Sequence, residues 1–226
     1  MRLTKTALMS VGTAALSDAL DKSGALDHGM RCMSGKARMA GEAFTVRVHT
    51  ADILMVAKAL SDCGKGDVLV IDGRGELNTA LWGELTTLAA LRKGLAGVVI
   101  DGAVRDIAVI RRSPLPVFAR AVVPNAGGAE YLGELNVAVQ CGGQVIRPRD
   151  WVIGDEDGVV VVPAEHISRV KQRAEKIIAA EKLLEQEIRK GADLGRLLRI
   201  EEVIERKQSE VFIPQLRVTA RRQRPS

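Results

Sequence analysis

The sequence predicts an α/β fold with a partly parallel sheet, a β-rich second half and a long C-terminal helical arm. Three observations carry this. Between Asp67 and Phe118, apolar runs of strand length alternate with helical stretches, and that order implies parallel strands joined by right-handed crossovers. Between Leu135 and Val162, short apolar runs alternate with turn residues, the pattern of a partly antiparallel segment. After Pro163 the pattern becomes helical and charged as far as about Lys190. Residues 1–190 read as a single α/β domain, and 191–226 as a C-terminal helix and basic tail.

In order, Ser10 to Lys22 reads as an amphipathic helix, with Ser10 as N-cap, Leu16 and Leu20 on one face and Gly24 as its stop. Ala37 to His49 alternates as a strand. Asp52 caps a helix over Ile53 to Leu60. Asp67 to Asp72 is a strand ending in Asp-Gly. A Gly-rich loop follows, then a helix from Ala80 to Lys93 with Leu81, Leu85, Leu88 and Leu91 inward and Gly94 as C-cap. Val98 to Ile100 is a buried strand ending in Asp101-Gly102. A short helix follows Asp106, and Pro116 to Phe118 is a strand. Leu135–Gln140, Gln144–Ile146, Trp151–Ile153 and Gly158–Val162 are strands separated by Gly142-Gly143, Pro148-Arg149-Asp150 and Asp155-Glu156-Asp157-Gly158. The long helix from Pro163 carries Ile177, Ile178, Leu183, Leu184 and Ile188 as its apolar positions, and Gly191 closes it. A second helix runs from Leu194 to Glu205. The thin apolar stripe of the long helix suits packing on its own sheet or on another subunit; the second is favoured.

Composition narrows the function. The 226 residues are 46% hydrophobic and 27% charged, ordinary for a globular protein. Aromatics are only 3%, so the core is aliphatic and a base-stacking nucleic-acid platform is not expected. The net charge of +5 rests largely on Arg217, Arg221, Arg222 and Arg224; the rest is nearly neutral. Cys32, Cys63 and Cys141 are scattered, with no CxxC pair, which fits a reduced, cytoplasmic protein rather than a disulfide framework or zinc site. No apolar run approaches the ~18 residues of a membrane span.

The segment Gly97-Val98-Val99-Ile100-Asp101-Gly102-Ala103-Val104-Arg105-Asp106 is the most informative. Ligands in open α/β sheets sit beyond the carboxyl ends of strands. There Arg105 offers a planar fork for an oxyanion and Asp106 a hard carboxylate for a divalent metal. Glu84, separated from Arg105 by twenty residues, follows the neighbouring strand, so the three converge on one rim. The plainer alternative is an Arg–carboxylate bridge with Asp106 capping a helix. Gly73-Arg74-Gly75 is only a fragment of a dinucleotide fingerprint, because Asn78 stands where its third glycine belongs. His28, His49 and His166 lack ligand spacing, no GxSxG elbow occurs, and no lysine lies inside an apolar strand as Schiff-base chemistry requires. The acidic run before Gly158 reads as a solvated turn.

Trp82-Gly83-Glu84-Leu85, the Gly97–Asp106 segment, Cys141-Gly142-Gly143 and Gly154-Asp155-Glu156-Asp157-Gly158-Val159-Val160-Val161-Val162-Pro163 together resemble the class II pyruvate aldolases. These are the 4-hydroxy-4-methyl-2-oxoglutarate / 4-carboxy-4-hydroxy-2-oxoadipate aldolases, which share a fold with regulator of ribonuclease E activity A. The resemblance spans about Val11 to Gly191. It implies an α-β-β-α sandwich assembled as a homotrimer or homohexamer. It implies Mg²⁺ or Mn²⁺ on Asp106, Arg105 donating to the oxygen that becomes an enolate, and backbone N–H groups of Gly83, Glu84, Leu85 and Thr86 holding the carboxylate of a 2-oxo acid. Glu84 stands where that family carries Asp; one methylene longer, it suits a water-mediated role. Asp18 and Glu181 match acids that a neighbouring subunit contributes.

The expected function is therefore a metal-dependent lyase releasing pyruvate from a 4-hydroxy-2-oxo acid, with oxaloacetate decarboxylase activity. The alternative is a non-catalytic ring-shaped protein that modulates a ribonuclease. Methyl transfer to a quinone, a label sometimes attached to the family, lacks a glycine-rich cofactor loop of the expected kind.

Overall fold

The computed structural model describes residues 5–209; Arg217, Arg221, Arg222 and Arg224 lie outside the described residues. The chain divides into two compact units, residues 1–179 and 180–226. In chain order the elements are α1 (Lys5–Val11), α2 (Thr13–Ala19), β1 (Arg31–Cys32), β2 (Met39–Arg47), α3 (Leu54–Asp62), β3 (Val68–Trp82), α4 (Glu84–Lys93), β4 (Gly97–Val104), α5 (Ile107–Arg112), β5 (Val117–Val122), β6 (Glu134–Leu135), β7 (Val139–Cys141), β8 (Gln144–Ile146), β9 (Trp151–Asp155), β10 (Gly158–Val162), α6 (Ile167–Arg189), α7 (Leu194–Leu197) and α8 (Ile200–Ser209).

The sheet runs β1-β5-β4-β3-β2-β9-β10, with β6 also on β2 and a separate β7–β8 hairpin. β2, β3, β4 and β5 pair in parallel, whereas β9 pairs antiparallel with both β2 and β10. The two-residue period of the strands sorts their side chains into three cores. Leu69, Ile71, Val98, Ile100 and Val117 face one way, onto Val56 and Ala59 of α3, Ala90 of α4 and Ile110 of α5. Val68, Val70, Val99 and Phe118 face the other way, onto Val139, Cys141, Ile146, Val152, Val159 and Val161. Ile153, Val160 and Val162 point away again, onto Leu8, Leu16, Ile167, Val170 and Ala174 of the helices α1, α2 and α6. The layers are therefore helix, sheet, sheet, helix, with β2 shared between the sheets. Each fully buried aliphatic side chain contributes roughly 1.5–3 kcal/mol, and aliphatics make almost all of these contacts.

One polar row crosses the parallel strands where the middle core ends. Arg47 of β2 is the register partner of Asp72 in β3, and the pairs Ile71↔Ile100 and Ile100↔Ala119 put Asp72, Asp101 and Arg120 next in line across β3, β4 and β5. Arg47 Nε lies 3.5 Å from Asp72 Oδ2, and Arg120 pairs with both Asp101 and Asp27. Asp72 and Asp101 are both buried. Asp101 Oδ2 also accepts the Gly142 N–H at 2.8 Å, and Asp72 Oδ2 the Gln140 N–H at 3.3 Å, which fastens the β7–β8 hairpin over the core. The Arg120 guanidinium holds the Asp27 carboxyl below its ordinary value.

Several elements differ from the sequence reading. The N-terminal helix is broken at Gly12, whose φ is 82°. Ser10 lies inside α1 and donates to Ala7 O at 2.9 Å rather than capping, because Asp155 starts α2 from across the chain by accepting the Thr13 N–H at 2.7 Å and its hydroxyl at 2.5 Å. Part of the acidic turn is thus a cap. The Gly-rich stretch after Asp72 and Ala80 to Trp82 belong to β3: Ala80 pairs with Ala103 and Trp82 with Val104. Sheet pairing overrides the helical spacing of the leucines, and α4 begins at Glu84. Leu81 is buried in the strand, but Leu85, Leu88 and Leu91 are exposed and Thr87 and Ala90 face inward. Asp101-Gly102 lies inside β4. The segment 135–140 splits between β6 and β7 around Asn136 (φ 51°), and the last helix breaks at Arg199 (φ 53°) into α7 and α8. On α6 the core-facing residues are Ile167, Val170 and Ala174, with Ile177 and Ile178 beside them, while Leu183 and Ile188 are exposed. No helix among the described residues is long and apolar enough to cross a membrane.

Removing Arg120 leaves Asp101 buried without its counter-ion. Arg120→Met is expected to cost about 3 kcal/mol, read as a lowered urea midpoint.

Candidate functional site

The carboxyl ends of β3 and β4 bring together segments far apart in sequence. Arg105 N–H donates to Trp82 O at 2.9 Å, and one step on, Glu84 N–H donates to Asp106 Oδ2 at 2.9 Å. These two links set Gly83-Glu84 beside Arg105-Asp106. Gly83 is needed for this approach: a Cβ there would sit 2.6 Å from Asp106 Oδ2 and 3.1 Å from Arg105 Cγ.

The turn into α4 is held by side chains. Trp82 Nε1–H donates to Thr87 Oγ1 at 2.8 Å, and the Thr87 hydroxyl donates to Gly83 O at 2.7 Å. Thr86 Oγ1 accepts the Gly83 N–H at 2.9 Å. With the Glu84 N–H turned to Asp106, those of Leu85 and Thr86, also in the first turn, have no intrahelical acceptor. Such donors, with the helix dipole behind them, attract anions.

Asp106 precedes α5 in the left-handed region, φ 55° and ψ 39°, and its side chain makes no capping bond to its own helix. Asp tolerates that region better than most residues, though it costs on the order of 1 kcal/mol. The carboxylate instead reaches the start of α4. Arg105 Nε lies 3.7 Å from Asp106 Oδ2, too long for a tight ion pair. The capping alternative therefore fails for α5, and the Arg–carboxylate bridge is loose. Both side chains stay partly open to solvent at 43% and 38%, and Asp106 Oδ1 has no partner within the described chain.

Glu84, Leu85, Thr86, Gly83, Arg105 and Asp106 line one cleft of about 100 Å³, with Ile53, Ala80, Leu81, Trp82 and Ala126 forming the rest of its wall. Asp18 and Glu181 do not line it. Asp18 is exposed on α2, 4.0 Å from Lys22; Glu181 lies in the second unit, beside Leu184 and Ile188. Ile53 and Ala126 went unnoticed in the sequence, because only non-local tethers bring them here. Ala80 N–H donates to Asn125 O at 2.8 Å and Ile53 N–H to Gly128 O at 2.7 Å. Asp52 fixes the same wall by accepting N–H bonds from Leu54, Glu130 and Tyr131 at 2.8, 2.7 and 3.0 Å. Burial alone would raise the Asp52 carboxyl, but these bonds hold it below its ordinary value.

The donor set allows one kind of metal. Among the described residues there is no cluster of three or more His, Cys, Asp or Glu that could form a cage. A single carboxylate with a free oxygen, in an open cleft, fits a hydrated hard cation such as Mg²⁺, which keeps several of its waters. It does not fit the closed N/S sites of zinc.

The model of the RraA-like family, described as Aldolase/RraA, matches residues 13–161. A protein of Thermus thermophilus named 4-hydroxy-4-methyl-2-oxoglutarate aldolase is 38% identical over 155 residues, which is 69% of this chain and 94% of that one. A solved structure titled the RNA-processing inhibitor RraA, from Thermus thermophilis, is 36% identical, covers 72% of this chain and 94% of its own, and superposes with a TM-score of 0.61. Another, titled S-adenosylmethionine: 2-dimethylmenaquinone methyltransferase, from Geobacillus kaustophilus, is 35% identical, covers 70% and 98%, and has a TM-score of 0.65. One fold thus carries three names, and function has to be argued from the site.

Two outcomes are expected. Gly83→Ala should destabilise the fold by about 1–3 kcal/mol through overpacking, measured by urea unfolding. Because the folded Asp52 carboxyl is depressed, its stabilisation is present above the unfolded value near ~4 and is lost as pH falls through the folded one. Asp52→Asn should therefore give a shallower loss of stability below about pH 4, followed by circular dichroism.

Proposed function

The chain belongs to the RraA-like, Aldolase/RraA family, and from that premise we propose that it is a divalent-metal-dependent lyase that releases pyruvate from a 4-hydroxy-2-oxo acid and decarboxylates oxaloacetate. The observation that carries this reading is the meeting of Glu84, Arg105 and Asp106 in one cleft, joined by the Glu84 N–H to Asp106 bond.

Breaking the C3–C4 bond of such an acid leaves an electron pair on a pyruvate enolate. The first-turn N–H groups of Leu85 and Thr86 receive the substrate carboxylate. The Arg105 fork donates to the oxygen on which charge develops, where a fixed donor acts most strongly in the transition state. Asp106 would hold Mg²⁺ or Mn²⁺ through its free oxygen, and the bound cation supplies Lewis-acid polarisation of the 2-oxo group. Glu84, exposed at the rim, orients a water that takes the 4-hydroxyl proton and returns one to the enolate carbon. In this reading Asp18 and Glu181 are contributed by a second copy of the chain. The exposed Leu85 and Leu88, in the helix that begins at the cleft, support a homo-oligomeric site.

A second reading, a non-catalytic regulator of a ribonuclease, is favoured by the similarity to a structure titled an RNA-processing inhibitor. Methyl transfer has less support. Gly73-Arg74-Gly75 lies within β3 and not at a helix N-terminus, where a loop of that kind would cradle a phosphate.

With Mg²⁺ and either 4-hydroxy-4-methyl-2-oxoglutarate or oxaloacetate, a coupled assay should register pyruvate, and chelation should stop it. Arg105→Lys should lose about 90% or more of turnover, since an ammonium cannot reproduce the planar fork, and Asp106→Asn should lose the response to metal. Wild-type rates in both variants would place the chemistry elsewhere. No pyruvate under any condition, together with direct binding to a ribonuclease, would favour the second reading. By light scattering the wild type should be oligomeric, and Leu85→Glu/Leu88→Glu should yield single chains with little activity.

A further inference from the structure

A second hollow, lined by none of the residues of the Arg105–Asp106 cleft, lies between the end of α2, the β8–β9 turn and the first turns of α6. Its volume is about 510 Å³, and basic side chains reach it from two separate segments: Arg147 after β8, and Arg169 and Arg173 beyond the start of α6, with the His166 imidazole beside them. We propose that it binds a small organic oxyanion, a carboxylate or a phosphate ester, through Arg147 and Arg169.

The arrangement of the charges argues for this. Arg173 is already committed: it grips the Asp21 carboxylate with both terminal nitrogens and donates to Ala19 O at 3.0 Å. That pair forms a fixed part of the wall and carries no net charge. Asp150 is the other carboxylate of the hollow, and it is buried and occupied. Its Oδ2 accepts the Arg147 N–H at 2.8 Å and its Oδ1 the Ala164 N–H at 3.1 Å. These bonds fix the two flanks of the hollow to each other and engage both oxygens of the nearest anion. The guanidinium groups of Arg147 and Arg169 have no carboxylate or carbonyl partner among the described residues, and neither does the His166 ring. Arg38, Arg47, Arg120, Arg149 and Arg189, by contrast, all face carboxylates.

The hollow therefore presents two free planar forks, suited to bidentate capture of a carboxylate or phosphate, with His166 adding a donor. Leu20, Val145 and Val161 add apolar lining, and Val145 is left 59% exposed. A bare inorganic ion would leave that surface wet, whereas an organic anion covers it. The ligand is accordingly a small molecule with a charged end and a short aliphatic body.

Calorimetric titration of the full-length protein at low salt tests this with succinate, glycerol 3-phosphate and inorganic phosphate as probes. An Arg105→Gln background weakens the other cleft, and loss of the signal on Arg147→Gln or Arg169→Gln assigns the remaining binding to this hollow. Binding at about millimolar concentration or tighter is expected for at least one organic probe, and Arg147→Gln or Arg169→Gln should each weaken it about tenfold. Arg74→Gln, at an exposed arginine outside the hollow, should leave it unchanged. Stronger binding of succinate or of glycerol 3-phosphate distinguishes a carboxylate from a phosphate ligand. No binding of either organic probe, binding that survives Arg147→Gln/Arg169→Gln, or inorganic phosphate binding at least as tightly as both organic probes would overturn the proposal. Both substitutions are at exposed positions, and an unchanged urea midpoint will show that a lost signal is not lost folding.

Discussion

The charged row Arg47–Asp72–Asp101–Arg120 is the constraint from which the working end of the molecule follows. Two carboxylates on adjacent parallel strands would repel each other in a buried layer; an arginine at each end of the row and backbone N–H groups from the β7–β8 hairpin make the arrangement stable. A buried ion pair is weak evidence for net stability but strong evidence for a specified geometry, since an unpaired member is costly. Below the row, β3 and β4 run in strict register. Above it the register shifts three times, and β3 uses the eleven steps from Ile71 to Trp82 while β4 uses four from Ile100 to Val104. That excursion lets β3 turn back to the sheet as Ala80-Leu81-Trp82 and deliver Gly83 to the end of β4.

The cleft is thus a consequence of mismatched strand lengths. Its polar groups sit at strand ends and helix starts, where backbone donors lack partners, and Asp106, at a φ of 55°, keeps its carboxylate partly open to solvent. Rigid elements below and partly open side chains above suit a site that binds a small anion and a hydrated cation without enclosing them. The exposed leucines of α4 begin at the same rim, so an apolar surface and the polar cleft are continuous.

The same division holds at the far side. Asp155, in the acidic run that reads as solvated, and Asp150, in the Pro148-Arg149-Asp150 turn, are both structural: one starts α2, the other fixes the β8–β9 turn and the approach to α6. With Asp150 so engaged and Asp21 held by Arg173, the arginines around the second hollow keep an unbalanced positive charge. Asp150, bonded only to backbone N–H groups, remains one negative charge, and Arg147 and Arg169 outnumber it.

The sequence by itself determined the fold class, the parallel order of the central strands, the β-rich second half and the pairing of Glu84 with Arg105 and Asp106 as candidates. These depend on local periodicity, on crossover handedness and on residues placed just beyond apolar runs, all of which are written in short stretches of chain. Only the tertiary structure decided that Ala80 to Trp82 is strand, that the α4 leucines face out, that Asp106 serves α4 and not α5, and that Ile53 and Ala126 complete the cleft. Each of those depends on a partner more than twenty residues away, and local spacing cannot distinguish an apolar face that meets the core from one that does not.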